Sequence, residues 1–182
     1  MAGGDMPRRK TGLTLIAIVV LVAAGRAAVA QDPAPAGFGR RHIFLTGMAG
    51  MTVAQALRGA MQRLWRPECQ QVFEDFTDQA GRTLTTSLGA TAQSPADVLA
   101  GLYFVDGDDT VRCRTDRLVA AFTTPGSRVI HVCGRQFIKL SSQAKPREIL
   151  LIHELLHSLG LGENPPTSSR ITAAVMSRCG SL

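Results

Sequence analysis

No stretch of this sequence interleaves a run of Lys and Arg with aromatic side chains, and only one Trp, one Tyr and seven Phe occur among its 182 residues. That argues against nucleic acid as a partner, although the chain is basic at +6, because such surfaces need clustered cations and stacking groups. There is no CxxC pair either, so a cysteine-built zinc site is not expected. The apolar run Leu13–Ala24 falls short of the roughly 20 residues that cross a bilayer as a helix. Internal repeats and a second-domain linker are missing too, which points to one domain.

What the first thirty residues do contain reads as an export signal. Arg8, Arg9 and Lys10 precede the apolar run, and Ala28-Val29-Ala30 offers the small residues of a cleavage site before Gln31. Residues 1–30 are therefore expected to be a signal peptide and residues 31–182 a single domain, secreted or periplasmic, with no stable membrane association after cleavage. Residues 31–182 keep 16 Lys/Arg and 13 Asp/Glu, so the formal charge falls to +3 and part of the basic character belongs to the signal. Cys69, Cys113, Cys133 and Cys179 all lie in that part. In an oxidising compartment four cysteines imply two disulfides, and spacing does not choose among the three pairings.

Apolar periodicity predicts a helix over Thr52–Trp65, a second helical pattern from Cys69 to Phe76, and a short helix capped by Ser94 with Pro95 in its first turn. A short strand is expected within Arg40–Leu45. Strands are expected at Tyr103–Val105, Leu118–Phe122 and Arg128–Cys133, the last two joined by the turn Thr124-Pro125-Gly126-Ser127. A closing helix begins at Thr167 or Ser168 and carries Met176, which reads as core. Asp106, Asp108 and Asp109 lack the spacing of a calcium loop and read as a solvated turn. The expected fold is α+β: a small antiparallel sheet packed on helices.

The chain is organised around PREILLIHELLHSLGLGE, from Pro146 to Glu163. Ile149 to Leu159 are apolar nearly all round the helix, so this helix is expected to be buried. Burying His153, Glu154 and His157 within it is costly unless something pairs with them. Residues four apart lie on one helix face, so His153 and His157 can offer two neutral imidazole nitrogens to one metal ion, with Glu154 beside them as general base. Gly160 ends the helix. A catalytic zinc takes three protein ligands, and downstream of His157 the chain has no His, no Asp and one Glu. If the third ligand comes from downstream, elimination leaves Glu163. His131, on a strand, is the upstream alternative.

His153, Glu154, His157 and Gly160 resemble the zincin metallopeptidases, and especially the extended metzincin pattern HExxHxxGxxH or HExxHxxGxxD, with Glu163 at the last position. The strand Val129–Cys133 before HExxH is also loosely similar to the aspzincin layout, although the downstream GTxxD is absent. So is the NExxxD of the gluzincins. The resemblance covers residues 129–163. It implies a zincin-like fold, one zinc ion, a peptide or protein substrate, and hydrolysis by metal-activated water with Glu154 as base. It also implies an edge strand ahead of the catalytic helix, here Arg128–Cys133, that pairs with an extended substrate. Tyr103, Arg128, Arg135 and His131 are candidates to stabilise the oxyanion. Two other expectations compete: a secreted domain with a structural metal or none, and a zinc hydrolase acting on a non-protein amide such as peptidoglycan. Oligomeric state is left open.

Overall fold

The structure, a computed structural model, describes Met1 and residues 42–181. The signal peptide expected at residues 1–30 and the leader after it lie outside the described residues. Residues 42–181 belong to one compact unit.

The chain enters through strand β1 (Ile43–Phe44) and helix α1 (Gly47–Leu64), then α2 (Pro67–Gln70), a 3-10 turn at Gln71–Phe73, α3 (Leu84–Gly89) and α4 (Pro95–Ala100). Strand β2 (Tyr103–Asp106), helix α5 (Val111–Thr115), strands β3 (Ala121–Thr123) and β4 (Val129–Val132), and helices α6 (Gly134–Lys139), α7 (Lys145–Ser158) and α8 (Ser168–Cys179) follow. Ser94 and Thr167 cap α4 and α8 by accepting the Asp97 and Arg170 N–H groups, as their sequence positions predict.

Among the described residues the sheet has four strands in the order β1-β2-β4-β3. It is mixed, not antiparallel. Only β3 and β4, joined by the tight turn at Thr124–Ser127, run antiparallel. β1 and β4 are each parallel to β2, because helical crossovers bring the chain back in the same direction. A second correction follows. Residues 129–132 are not an edge strand, since β4 is flanked by both β2 and β3. The edge on that side is β3.

Alternation along the strands turns Phe104, Ile130, Val132 and Ala121 into the core, where they meet the buried faces of α1 and α7. α1 starts earlier than the expected Thr52, because Gly47 and Gly50 mask helical periodicity. Gly50 is needed there: a Cβ would lie 2.4 Å from the Leu45 carbonyl oxygen. Two disulfides close the structure, Cys69–Cys179 between α2 and α8 and Cys113–Cys133 between α5 and the end of β4, and no free cysteine remains. Their loops span 110 and 20 residues, which in the chain-entropy model is worth about 5 and about 3 kcal/mol. Among the described residues no helix is long and apolar enough to cross a membrane.

Candidate metal centre

α7 is the buried helix of this fold. Ile149, Leu151, Ile152, Leu155 and Leu156 are at most 1% exposed, and the helix packs against α1, α4, α8 and β3. Its C-terminus is a Schellman turn: Leu161 N donates to Leu156 O, Gly160 N donates to His157 O, and Gly160 takes φ +105°. That reversal brings Glu163 back over the last two turns of the helix. The turn is held from outside, where Gln79 N donates to Gly160 O.

His153, His157 and Glu163 offer ligand atoms within 4.8 Å of one another, and they are the one such group of three or more among the described residues. The His153 and His157 Nε2 atoms are 3.0 Å apart. Glu163 Oε1 lies 3.6 Å from His157 Nε2 and 3.9 Å from His153 Nε2. Zinc–ligand bonds of about 2.0–2.1 Å place the donors of a tetrahedral site about 3.3–3.4 Å apart, so the three distances bracket what a small divalent ion demands. The imidazoles are already oriented for it. His157 Nδ1 donates to Leu161 O at 2.7 Å, which leaves its Nε2 lone pair free. His153 Nδ1 lies 2.9 Å from Thr172 Oγ1 on α8. Burial, with His157 beside it, pushes His153 down to about 3, so it stays neutral and ligand-ready through the physiological range.

Glu154 is not in the ligand group. It is 3% exposed, its Oε2 is buried without a partner, and it lines the same cavity as the three donors. Burial pushes its carboxyl up to about 8, and Glu163 adds to that push, while Arg112 and the Thr123 N–H pull the other way. The cavity measures ≈390 Å³ and is walled by residues 118–123 on one side and by α7 and α8 on the other. Met176, 40% exposed, belongs to that wall and not to the core.

The edge strand faces this cavity with the backbone groups that β4 does not use, of which the Thr123 N–H meets Glu154. Cys133 N donates to Ala120 O, and Phe122 pairs with His131, so residues 120 and 122 spend their groups on β4. Those of Ala121 and Thr123 then point the other way, towards the cleft. The hairpin tip is fastened to α7 itself, since Gly126 N donates to His157 O at 2.9 Å.

The sequence candidates for an oxyanion donor do not reach the cavity. Tyr103 packs beside His42 and Phe44, Arg128 donates to Gly101 O, and His131 stacks on Phe122 at 4.9 Å. His131 is also outside the ligand group. Arg112 is the cation that lines the cavity, held 5.1 Å over the Phe122 ring. Nothing local in the sequence marks it, because it comes from α5 and is brought in by the Cys113–Cys133 crosslink next to it. Thr172 was equally invisible, being an exposed helix position whose only distinction is its partner. No protein-family model, curated protein or solved structure matches this chain.

Proposed function

We propose that this protein is an exported zinc-dependent peptidase of zincin-like architecture, with His153, His157 and Glu163 as metal ligands and Glu154 as general base. The observation that carries the reading is a single juxtaposition. Among the described residues three donors converge with no fourth protein ligand, beside a buried carboxyl whose Oε2 lacks a partner, beneath the edge strand of the sheet. A structural zinc takes four protein ligands in a closed site, whereas a catalytic one keeps a position open. Glu163, 28% exposed, sits at the mouth of a cavity, which fits the second case. Disulfide bonding agrees with an oxidising compartment.

A zinc ion held by these donors would supply a Lewis acid that acidifies water and polarises a carbonyl. The chain's own residues do the rest. Ala121 and Thr123 bind an extended peptide by main-chain hydrogen bonds and hold its carbonyl over Glu154. Glu154 takes a proton from water as the water oxygen bonds to the carbonyl carbon. It passes that proton to the amine nitrogen as the C–N bond breaks. Arg112 faces the charge that develops on the carbonyl oxygen.

The test is metal analysis combined with peptide hydrolysis. The purified protein should hold one zinc, lose activity with a chelator, and regain it when zinc is restored. Glu154→Gln should keep the zinc and lose turnover, while His157→Ala should lose both. A zinc-loaded protein that cleaves peptidoglycan amides and no polypeptide would replace the substrate class. A protein that binds no metal would overturn the reading.

A further inference from the structure

A second hollow adjoins the cleft. It shares Leu118, Ala120 and Leu140 with the first, and its other walls are formed by Arg117, Arg135, Gln136 and Lys139. No carboxylate lines it. Asp116, next to Arg117 in the chain, turns a carboxylate oxygen back to the Leu118 N–H. Among the described residues none of the three cations is in an ion pair; the pairs are formed by Arg63, Arg82 and Arg178 and by the site histidines. Leu118, 92% exposed, stands on the lip between the two hollows. The fold thus leaves three uncompensated positive charges around one concavity, at the end of the strand that faces the cleft.

We infer that this hollow is a specificity subsite for an acidic side chain of the substrate. The inference rests on the peptidase reading, because the strand edge carries substrate from the one hollow into the other. Thr123 lies over Glu154 and Leu118 lies five residues earlier, so the two are at most about 16 Å apart along extended chain. Residues 117–118 form a turn, so a peptide lying along β3 brings a residue within about five of the scissile bond to the three cations. Only the half of the substrate that runs towards Leu118 passes there. An Asp or Glu at that position meets Arg135 and Lys139 on α6 and Arg117 on the incoming loop. A Lys there is repelled.

The experiment compares one neutral, cleavable peptide with versions that carry a single Glu at each of six positions on either side of the bond, using the zinc-loaded protein. Glu at a position within five residues of the bond, on one side only, should raise kcat/KM about tenfold. That gain should disappear in Arg135→Gln/Lys139→Gln and at high salt, with cleavage of the neutral peptide unchanged. Arg135→Glu/Lys139→Glu should favour Lys at the same position. Equal cleavage of all peptides, or a gain that is the same on both sides of the bond, overturns the subsite and leaves the peptidase standing. Absence of any cleavage counts against the peptidase alone. The subsite is then decided by the binding of labelled Glu-containing and neutral peptides to zinc-loaded Glu154→Gln. Tighter binding of the acidic peptide, lost in the double glutamine variant, upholds the subsite, and equal binding refutes it.

Discussion

Glu148 and Glu154 lie six residues apart on α7, and each is buried, at 7% and 3% exposure. Their surroundings differ completely. Glu148 is met by Arg63 of α1 at 2.6 Å, and Arg63, itself 1% exposed, also donates to the Cys179 carbonyl at the end of α8. Gly59 makes room for the pair, since a Cβ there would lie 2.2 Å from Glu148 Oε1. At the other end of the helix Glu154 has no such partner, and its carboxyl is pushed up to about 8. One glutamate joins three helices. The other keeps one oxygen without a partner, beside a cavity and three side chains that could hold a metal ion. A fold tolerates an unpaired buried carboxyl at a cost, and that cost is what a catalytic position requires.

The sharpest way to break this contrast is to substitute each glutamate's function separately. Glu154→Gln should lower kcat by about 10²–10⁴-fold, the usual worth of a general base, with zinc content unchanged. Turnover that survives this change would make Glu154 a second structural glutamate. Arg63→Ala should do the opposite. It strands Glu148 in the core and should cost about 3–5 kcal/mol in urea denaturation, while the folded fraction turns over normally. Arg63→Met combined with Glu148→Leu should recover much of that loss, because two apolar side chains leave no charge behind. A smaller effect is expected at Thr172, the partner of His153 Nδ1. Thr172→Val should weaken zinc binding about 10–100-fold in a competition titration, and Thr172→Ser should restore it.

How much of this contrast is legible in the sequence depends on whether the interaction is local. The histidine pair, the helix that carries it and the caps at Ser94 and Thr167 follow from spacings within a few residues, and each is found in the structure. Glu163 was reached by elimination, and the Schellman turn at Gly160 brings it to the histidines. Nothing in the neighbourhood of Glu148 announces Arg63, which lies 85 residues away. The same limit hid the parallel strands. Alternation assigns a face to each residue of β2 and β4 but carries no information on direction. α5 and α6 are too short for a helical period to emerge, so Arg112 on one could not be placed at the cleft, nor Lys139 on the other in the hollow beside it, where Arg135 lies too instead of at the oxyanion position expected of it. Cysteine number gave two disulfides, but the pairing depends on where α2, α5 and α8 finally pack.

The last prediction concerns pH, where the uncompensated end of α7 should govern the stability of the metal-free protein. Glu154 is raised from 4.5 to about 8, so between those values the folded protein keeps a proton that the unfolded chain has released. Its stabilising contribution is therefore complete below 4.5 and is lost as pH rises towards 8. His153 is lowered from 6.5 to about 3, so as pH falls below 6.5 the unfolded chain takes up a proton that the folded protein refuses. Its contribution is complete above 6.5 and is lost on acidification. From 4.5 to 6.5 the two slopes oppose each other and cancel, leaving a plateau with a decline on either side. At about 1.4 kcal/mol per pH unit for one proton, the alkaline limb from 6.5 to 8 is worth about 2 kcal/mol. Urea denaturation in the presence of a chelator should trace this profile, and Glu154→Gln should flatten its alkaline limb and turn the plateau into a rise that continues to 6.5. Zinc-loaded protein should lose most of the decline above 6.5, because a dication beside Glu154 favours its ionised carboxylate. If chelated wild-type protein instead gains stability up to pH 8, Glu154 is already ionised without metal, and the contrast with Glu148 disappears.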